Sequence, residues 1–559
     1  MYKNKYVFVC FLAAMVIMSC SKKELNVGNP NSPTLTANVT SESGIIALAQ
    51  GGVYVNGFKN GDGWLGDSYF SLPYGYAELM GDVVGADATN QQVTTIGNPD
   101  YYILDNGTKT VNGSPQISVI RTYNIYGGST NNPLYYQWLN MYALNAACNT
   151  VLNQVSAVTF SGDATSRANT IKAWCYWWKG YAYAQIGTMY YSGLLDDTAV
   201  GTKTNTNGNY VLSAAVIARS NYYLNLASTT LGSITSVADY TAVLTQLVPT
   251  SCQIGHGLAF TSTAMWQRNI NTMLARNILL NKLSPFVNNN PAATITKSST
   301  TAMTTADWNS VLTLATNGIQ SGDYVFTGRS LASNYLFSAT GGTAAALCTG
   351  NNTSSTFKIS ERYMQNFKST DKRLTTDFRP SNYLNNFFGT RYAIKDSLQQ
   401  SVTGVYVIAS KIVAQYEAYI AGSYEENQLM LAEANIRLGN INTGLAFVDA
   451  ERTYQGAGVA AVANTGLSLA QALKELTSER RVSLVFRGLS FYDSRRWGWT
   501  YDISNGGGSY GNNLFTVAGV LNTNVTINYD FLDYWDVPAD ESVLNPPTAS
   551  SAAVKNPNF

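Results

Sequence analysis

The chain has 559 residues, of which only 12% are charged, with 35 Lys and Arg against 34 Asp and Glu. So little charge leaves no broad basic face for nucleic acid. A single histidine, His256, nearly removes His-based metal sites and weakens any Ser–His or Cys–His triad.

The N-terminus reads MYKNKYVFVCFLAAMVIMSCSKK. Lys3 and Lys5 precede an apolar run from Tyr6 to Met18, shorter than the roughly 20 residues that span a bilayer. The run ends Ile17-Met18-Ser19-Cys20, a small residue before Cys, which resembles the lipobox of bacterial lipoproteins. Cys20 is then the lipidation site: its thiol takes the lipid, and several acyl chains at about 0.8 kcal/mol per buried CH₂ make a durable anchor. Residues 1–19 are read as the leader and the polar, turn-rich stretch 20–40 as a flexible tether. The remainder divides into an N-terminal part, 41–330, and a C-terminal part, 331–559, expected to form one compact unit. Cys148, Cys175, Cys252 and Cys348 have no metal-like spacing, and their pairing is open. No metal or cofactor is expected; a structural calcium is left open.

Helical periodicity follows in blocks. Helices are expected at 43–57, 72–84, 134–155, 168–191, 213–231, 266–284 and 307–320. The block 168–191 is aromatic on nearly every face, so burial on several sides is expected. The segment 424–440 ends at Gly439, a C-terminal stop. Ser468 and Gln471 have capping-box spacing and open a helix expected to run to Gly488. The fold class read from this is all-α: a tetratricopeptide-like helical-repeat scaffold, with small residues at close-packing positions. Long insertions, about 58–70, 85–133, 192–210, 233–265, 328–415 and 500–559, interrupt it and carry a few short strands.

The C-terminal half carries an ordered set of motifs. These are Ala432-Glu433-Ala434, Leu438-Gly439, Arg452, Glu479-Arg480-Arg481, Leu484, Phe486, Gly488, Asp493 and Arg496-Trp497-Gly498. Upstream stand Trp138, Tyr142 and Asn149, then 367-FKSTDKRLTTDF-378; near the end stands 537-VPADESVLNP-546. This set resembles the SusD/RagB family. Ser483, Arg487 and Ser490 depart from the family pattern. The last two changes remove both members of an expected ion pair and leave Arg487 in need of another acidic partner.

The resemblance implies an outer-membrane lipoprotein facing outward. It would sit over a SusC/RagA-like TonB-dependent transporter and capture a nutrient, a glycan in most members and a peptide in some. It implies binding without catalysis; a surface glycoside hydrolase is the less favoured alternative, and a scaffold without a small ligand a further one. The five arginines of 479–498 (Arg480, Arg481, Arg487, Arg495, Arg496) lie among apolar residues. They are read as framework, with Glu433, Glu479 and Asp493 as their carboxylate partners. Gly488 and Trp497 belong to the same structural motif. Ligand contacts are expected on the insertions. The candidates are Trp64, Asp67, Tyr69, Tyr74, Tyr101, Tyr102 and Tyr335, because sugar capture needs aromatic faces with polar groups beside them.

Overall fold

The computed structural model describes residues 40–51, 73–86, 94–125, 133–199, 206–248, 258–325, 327–328, 357–394, 418–419 and 421–559. The leader, the tether, Cys20, Cys252, His256 and Cys348 lie outside them.

Helices dominate, and several begin where the sequence supplies a cap. The first are α1 (Glu42–Ala49), α2 (Pro73–Met80), α3 (Gln116–Tyr123) and α4 (Tyr136–Gln154). The long α5 (Ala164–Met189) starts where Asp163 accepts from the Ser166 amide at 2.6 Å. Then come α6 (Ser213–Gly232), α7 (Val237–Leu247), α8 (Thr263–Leu280) and α9 (Thr305–Thr316), the last opened by a Thr304–Asp307 capping box. Two short helices, α10 (Glu361–Met364) and α11 (Lys372–Asp377), precede α12 (Tyr424–Arg437) and α13 (Ile441–Tyr454). The set closes with α14 (Leu469–Ser483), α15 (Ser490–Arg496) and α16 (Ala539–Leu544).

Packing runs as an unbroken row: α4 on α5, α5 on α6, α6 on α8, α8 on α9, α9 on α12, α12 on α13 and α13 on α14. This is a tetratricopeptide-like stack, in which each element covers the apolar face of the one before. Small residues set the spacing. A Cβ at Gly180 would meet the Leu224 side chain at 2.7 Å, and one at Gly444 would meet the Ala432 carbonyl at 2.6 Å. Along α5, Trp174, Trp177 and Trp178 are fully buried, as the all-round aromatic pattern requires.

Strands are short. A four-stranded antiparallel sheet joins β2 (Tyr101–Ile103) and β3 (Lys109–Val111) to β9 (Ser509–Phe515) and β10 (Leu521–Asn528), in the order β9-β10-β2-β3. The other strands pair in twos: β1 (Val84–Ala86) with β6 (Phe357–Ile359), β4 (Ser192–Leu194) with β5 (Tyr210–Leu212), β7 (Phe378–Tyr383) with β8 (Thr390–Ile394), and the two-residue strands Thr327–Gly328 and Ala418–Tyr419 with each other.

Two expectations need correction. The helix opened by the Ser468–Gln471 box stops at Ser483 rather than Gly488. Phe486 (φ 57°) and Gly488 (φ 70°) are left-handed, and the Gly488 amide donates to Glu78 at 3.1 Å. That break turns the chain so that α15 can begin. In addition, α3, α7 and α13 form in stretches read as insertion or connection. Among the described residues, no helix is long and apolar enough to cross a membrane.

Candidate functional site

The five arginines on and after α14 differ in what holds them. Arg496 donates to both oxygens of Glu433 at 2.7 Å and to Asp493 at 2.7 Å, fully buried. Burial alone would raise the pKa of Glu433, but Arg496 overrides it and holds the carboxyl at about 2. Arg480 makes a two-pronged contact with Asp493, both at 3.1 Å. Arg487 finds its acidic partner in Glu425, at 3.4 Å. Arg495 has carbonyl partners, of Thr188, Asp533 and Leu280, and lies 4.1 Å from the Tyr534 ring centre.

Glu479 is not the partner of any of the five. It joins Arg373 at 2.7 Å and Arg452 at 2.6 Å, and accepts from Ser483 at 2.6 Å. Burial would raise its pKa too; the two guanidiniums and the Ser483 hydroxyl bring it to about 2. Ser490 donates to Glu78 at 2.7 Å. Glu78 is pushed up to about 7 by burial, against its bonds from Ser490 and the Phe486 and Gly488 amides and the charge of Arg481.

The early helical triplet pins a loop. Tyr142 donates to the Leu194 carbonyl at 3.0 Å, and Asn149 to the Asp196 carbonyl at 3.0 Å. Trp138 packs on the Tyr142 ring at 4.7 Å. All three sit on one face of α4, at i, i+4 and i+11. Cys148 and Cys175 are buried free thiols.

Arg481 stands apart from the other four. Its terminal nitrogens donate to the Gly81 and Asp82 carbonyls at 2.9 and 3.1 Å, and it lines a cavity that opens to solvent. One face of α14 supplies Lys474, Thr477, Ser478 and Arg481, at i, i+3, i+4 and i+7. The stretch after α10 supplies Gln365 and Asn366, and β9 supplies Ser509, Tyr510 and Asn512. Trp499 and Tyr510, both half-buried, bring aromatic rings to the wall. Trp499 is fixed by its indole N–H, which donates to the Phe286 carbonyl at 2.8 Å.

At the inner end, Arg362 pairs with Asp82, and Tyr529 donates to Asp82 at 2.7 Å. Asp82 (φ 59°), Asn288 (φ 50°) and Asn289 (φ 57°) all hold left-handed backbone around this one cavity. Such conformations in non-glycine residues gather at binding and catalytic sites. Lys474 is exposed at the mouth; its neighbours strip part of its hydration and push its pKa down.

Of the sequence-predicted ligand residues, Trp64, Asp67, Tyr69 and Tyr335 lie outside the described residues. Tyr74 lies on α2. Tyr102 is buried against Phe387, with ring centres 5.9 Å apart. Tyr101 is half-buried with the Lys109 ammonium 3.7 Å from its ring centre. Beside it, Asp100 is pushed up to about 7 by burial and by Asp530 and Asp502. The cavity residues were missed by reading single loop aromatics. The polar stripe Lys474-x-x-Thr477-Ser478-x-x-Arg481 was the available signal, at helical spacing on a helix otherwise committed to the core.

No family model and no curated relative matches the sequence. Solved structures do. A SusD superfamily protein from Bacteroides vulgatus is similar with a TM-score of 0.55 and 15% identity, over 91% of this chain and 98% of that one. NanU of B. fragilis is similar with a TM-score of 0.52 and 12% identity, over 95% and 100%. The fold of the chain is thus SusD-like.

Proposed function

We propose that this chain is a surface lipoprotein that binds a nutrient, a glycan above all, without chemically altering it, and delivers it to a SusC-like TonB-dependent transporter. The observation that carries this reading is the SusD-like fold over 91% of the chain, together with the lipobox ending at Cys20. The cavity adds support of a different kind. It offers Trp499 and Tyr510 as stacking faces, with Asn, Gln, Ser and Thr groups for hydroxyls. Its one carboxylate among the described residues, Asp82, is engaged by Arg362 and Tyr529, whereas glycoside hydrolysis ordinarily uses a flanking pair.

Calorimetry on the form beginning at Ser21, against panels of oligosaccharides and peptides, tests it, with product analysis on the same samples. Micromolar to millimolar glycan binding without breakdown is the expected result. Breakdown products would overturn the binding-only role, and binding confined to peptides would move the nutrient to that class. Labelled palmitate incorporated at Cys20, and lost in Cys20→Ser, checks the anchor. Co-purification with a TonB-dependent transporter checks the partner.

A further inference from the structure

The cavity beside α14 carries an imbalance of charge. Its lining holds three cations, Arg362, Lys474 and Arg481, and one carboxylate, Asp82. Asp82 is taken up by Arg362 Nε and the Tyr529 hydroxyl. Arg481 has only carbonyl partners at its terminal nitrogens, with the Trp499 ring 5.7 Å away, so no carboxylate neutralises it by contact. Glu78, behind Arg481, turns to the Gly488 amide and Ser490. The buried guanidiniums of Arg496 and Arg373 sit against the carboxylates of Glu433 and Glu479, whereas Arg495, like Arg481, is held by carbonyls.

A second observation is independent of the charge count. Arg362 is 5% exposed, and its Nη1 has no hydrogen-bond partner; Thr500, 1% exposed, has an unpartnered Oγ1. Both residues line this cavity. Leaving such buried donors unpaired is costly, the more so for a charged group. Two buried donors on this lining are therefore short of an acceptor. A carboxylate is the group that meets two guanidiniums and a hydroxyl with the fewest atoms. The aromatic walls and side-chain amides suit a sugar ring attached to it.

We propose that this cavity is a subsite for the carboxylate of an acidic sugar residue: Arg362, Arg481 and Thr500 receive the carboxylate, Trp499 and Tyr510 flank the ring, and Lys474 draws it in at the mouth. The inference rests on the glycan-capture role proposed above and names the ligand class within it.

The test uses the mature chain and three uronic-acid trisaccharides (galacturonate, glucuronate and mannuronate), each beside its neutral hexose counterpart. At least one acidic trisaccharide binds about tenfold or more tighter than its neutral counterpart, and the preference shrinks with added salt. Lys474→Gln, a change at the exposed mouth, lowers acidic-sugar affinity about threefold or more, and by a larger factor than it lowers affinity for the neutral counterpart. The acidic sugar also protects Lys474 from acetylation, read by peptide mass spectrometry. Equal affinity for acidic and neutral sugars, no protection of Lys474, or an unaltered preference in Lys474→Gln would overturn the subsite. Any of these alongside neutral-glycan binding would leave glycan capture standing. Silence toward every sugar would sink both, and binding of short peptides alone would replace the sugar with a peptide carboxylate.

Discussion

Glu433 on α12 and Arg496 on α15, 63 residues apart, meet fork to fork at 2.7 Å with neither side chain reaching solvent. The pair locks the two helices together through groups that neither could bury alone. In the folded chain Glu433 protonates at about 2, against an ordinary value of 4.5. A depressed pKa contributes stability that is present above the unfolded value and lost as pH falls from about 4.5 toward 2. Glu433→Gln is expected to lose about 3 kcal/mol at pH 7, judged by urea unfolding. The gap to the parent protein should narrow below pH 4.

Arg487→Ala separates framework from site. Its guanidinium pairs with Glu425 in the interior and does not line the cavity beside α14. The variant is expected to be less stable by about 2–4 kcal/mol, since it leaves Glu425 buried and uncompensated. Ligand affinity of the folded fraction should be unchanged. Loss of binding at an unaltered melting temperature would refute the framework assignment.

Glu451 on α13 is fully buried, and neither carboxyl oxygen has a hydrogen-bond partner. Burial raises its pKa well above 4.5, and the charges of Glu425 and Glu479 push the same way. For a raised pKa the sign reverses. The stability is complete below about 4.5 and is lost as pH climbs through the folded-state value. Glu451→Gln should match the parent protein at pH 4 and melt roughly 1–4 °C higher at pH 8. Equal melting temperatures at both pH values would show that Glu451 is not buried neutral.

Gly444 sits inside α13, where propensity favours alanine by about 1 kcal/mol. Its missing side chain is what allows α12 to approach, with a Cβ reaching 2.5 Å from Ile436 Cγ1 and 2.6 Å from the Ala432 carbonyl. Gly444→Ala should therefore destabilise, by about 1–3 kcal/mol from overpacking. A stabilised variant in chemical denaturation would contradict the close packing.

Local chemistry made much of the framework legible. The Ser468–Gln471 box forms as spaced, and Gly439 (φ 90°) ends α12. Residues scattered from Asp371 to Glu479 proved to be neighbours: Asp371, Arg373, Arg452 and Glu479 share one buried cluster. Sequence could name these residues but not pair them. Glu479 resembled a partner for nearby arginines, yet it bonds to Arg373 from 106 positions upstream. The cavity was illegible for the same reason. Its walls come from residues near 82, 288, 365, 478, 499 and 510, and no periodicity links them. The break at Phe486 was hidden because an apolar, helix-compatible stretch gives no sign of the left-handed turn that Glu78 helps to fix.

The pairing of β2 with β10 has a consequence in time. The Asp105 amide donates to Asn522 at 3.3 Å across 417 positions, so β2 must wait for a partner near the far end of the chain. Until then β2 and β3 have only each other, a pairing that is marginal in water and leaves one seam unfilled. Three-residue strands offer a stray chain few bonds, and Lys109 puts a charge on the outer strand. Closure of the sheet is thus a late event, and refolding from denaturant should show it as the slow phase.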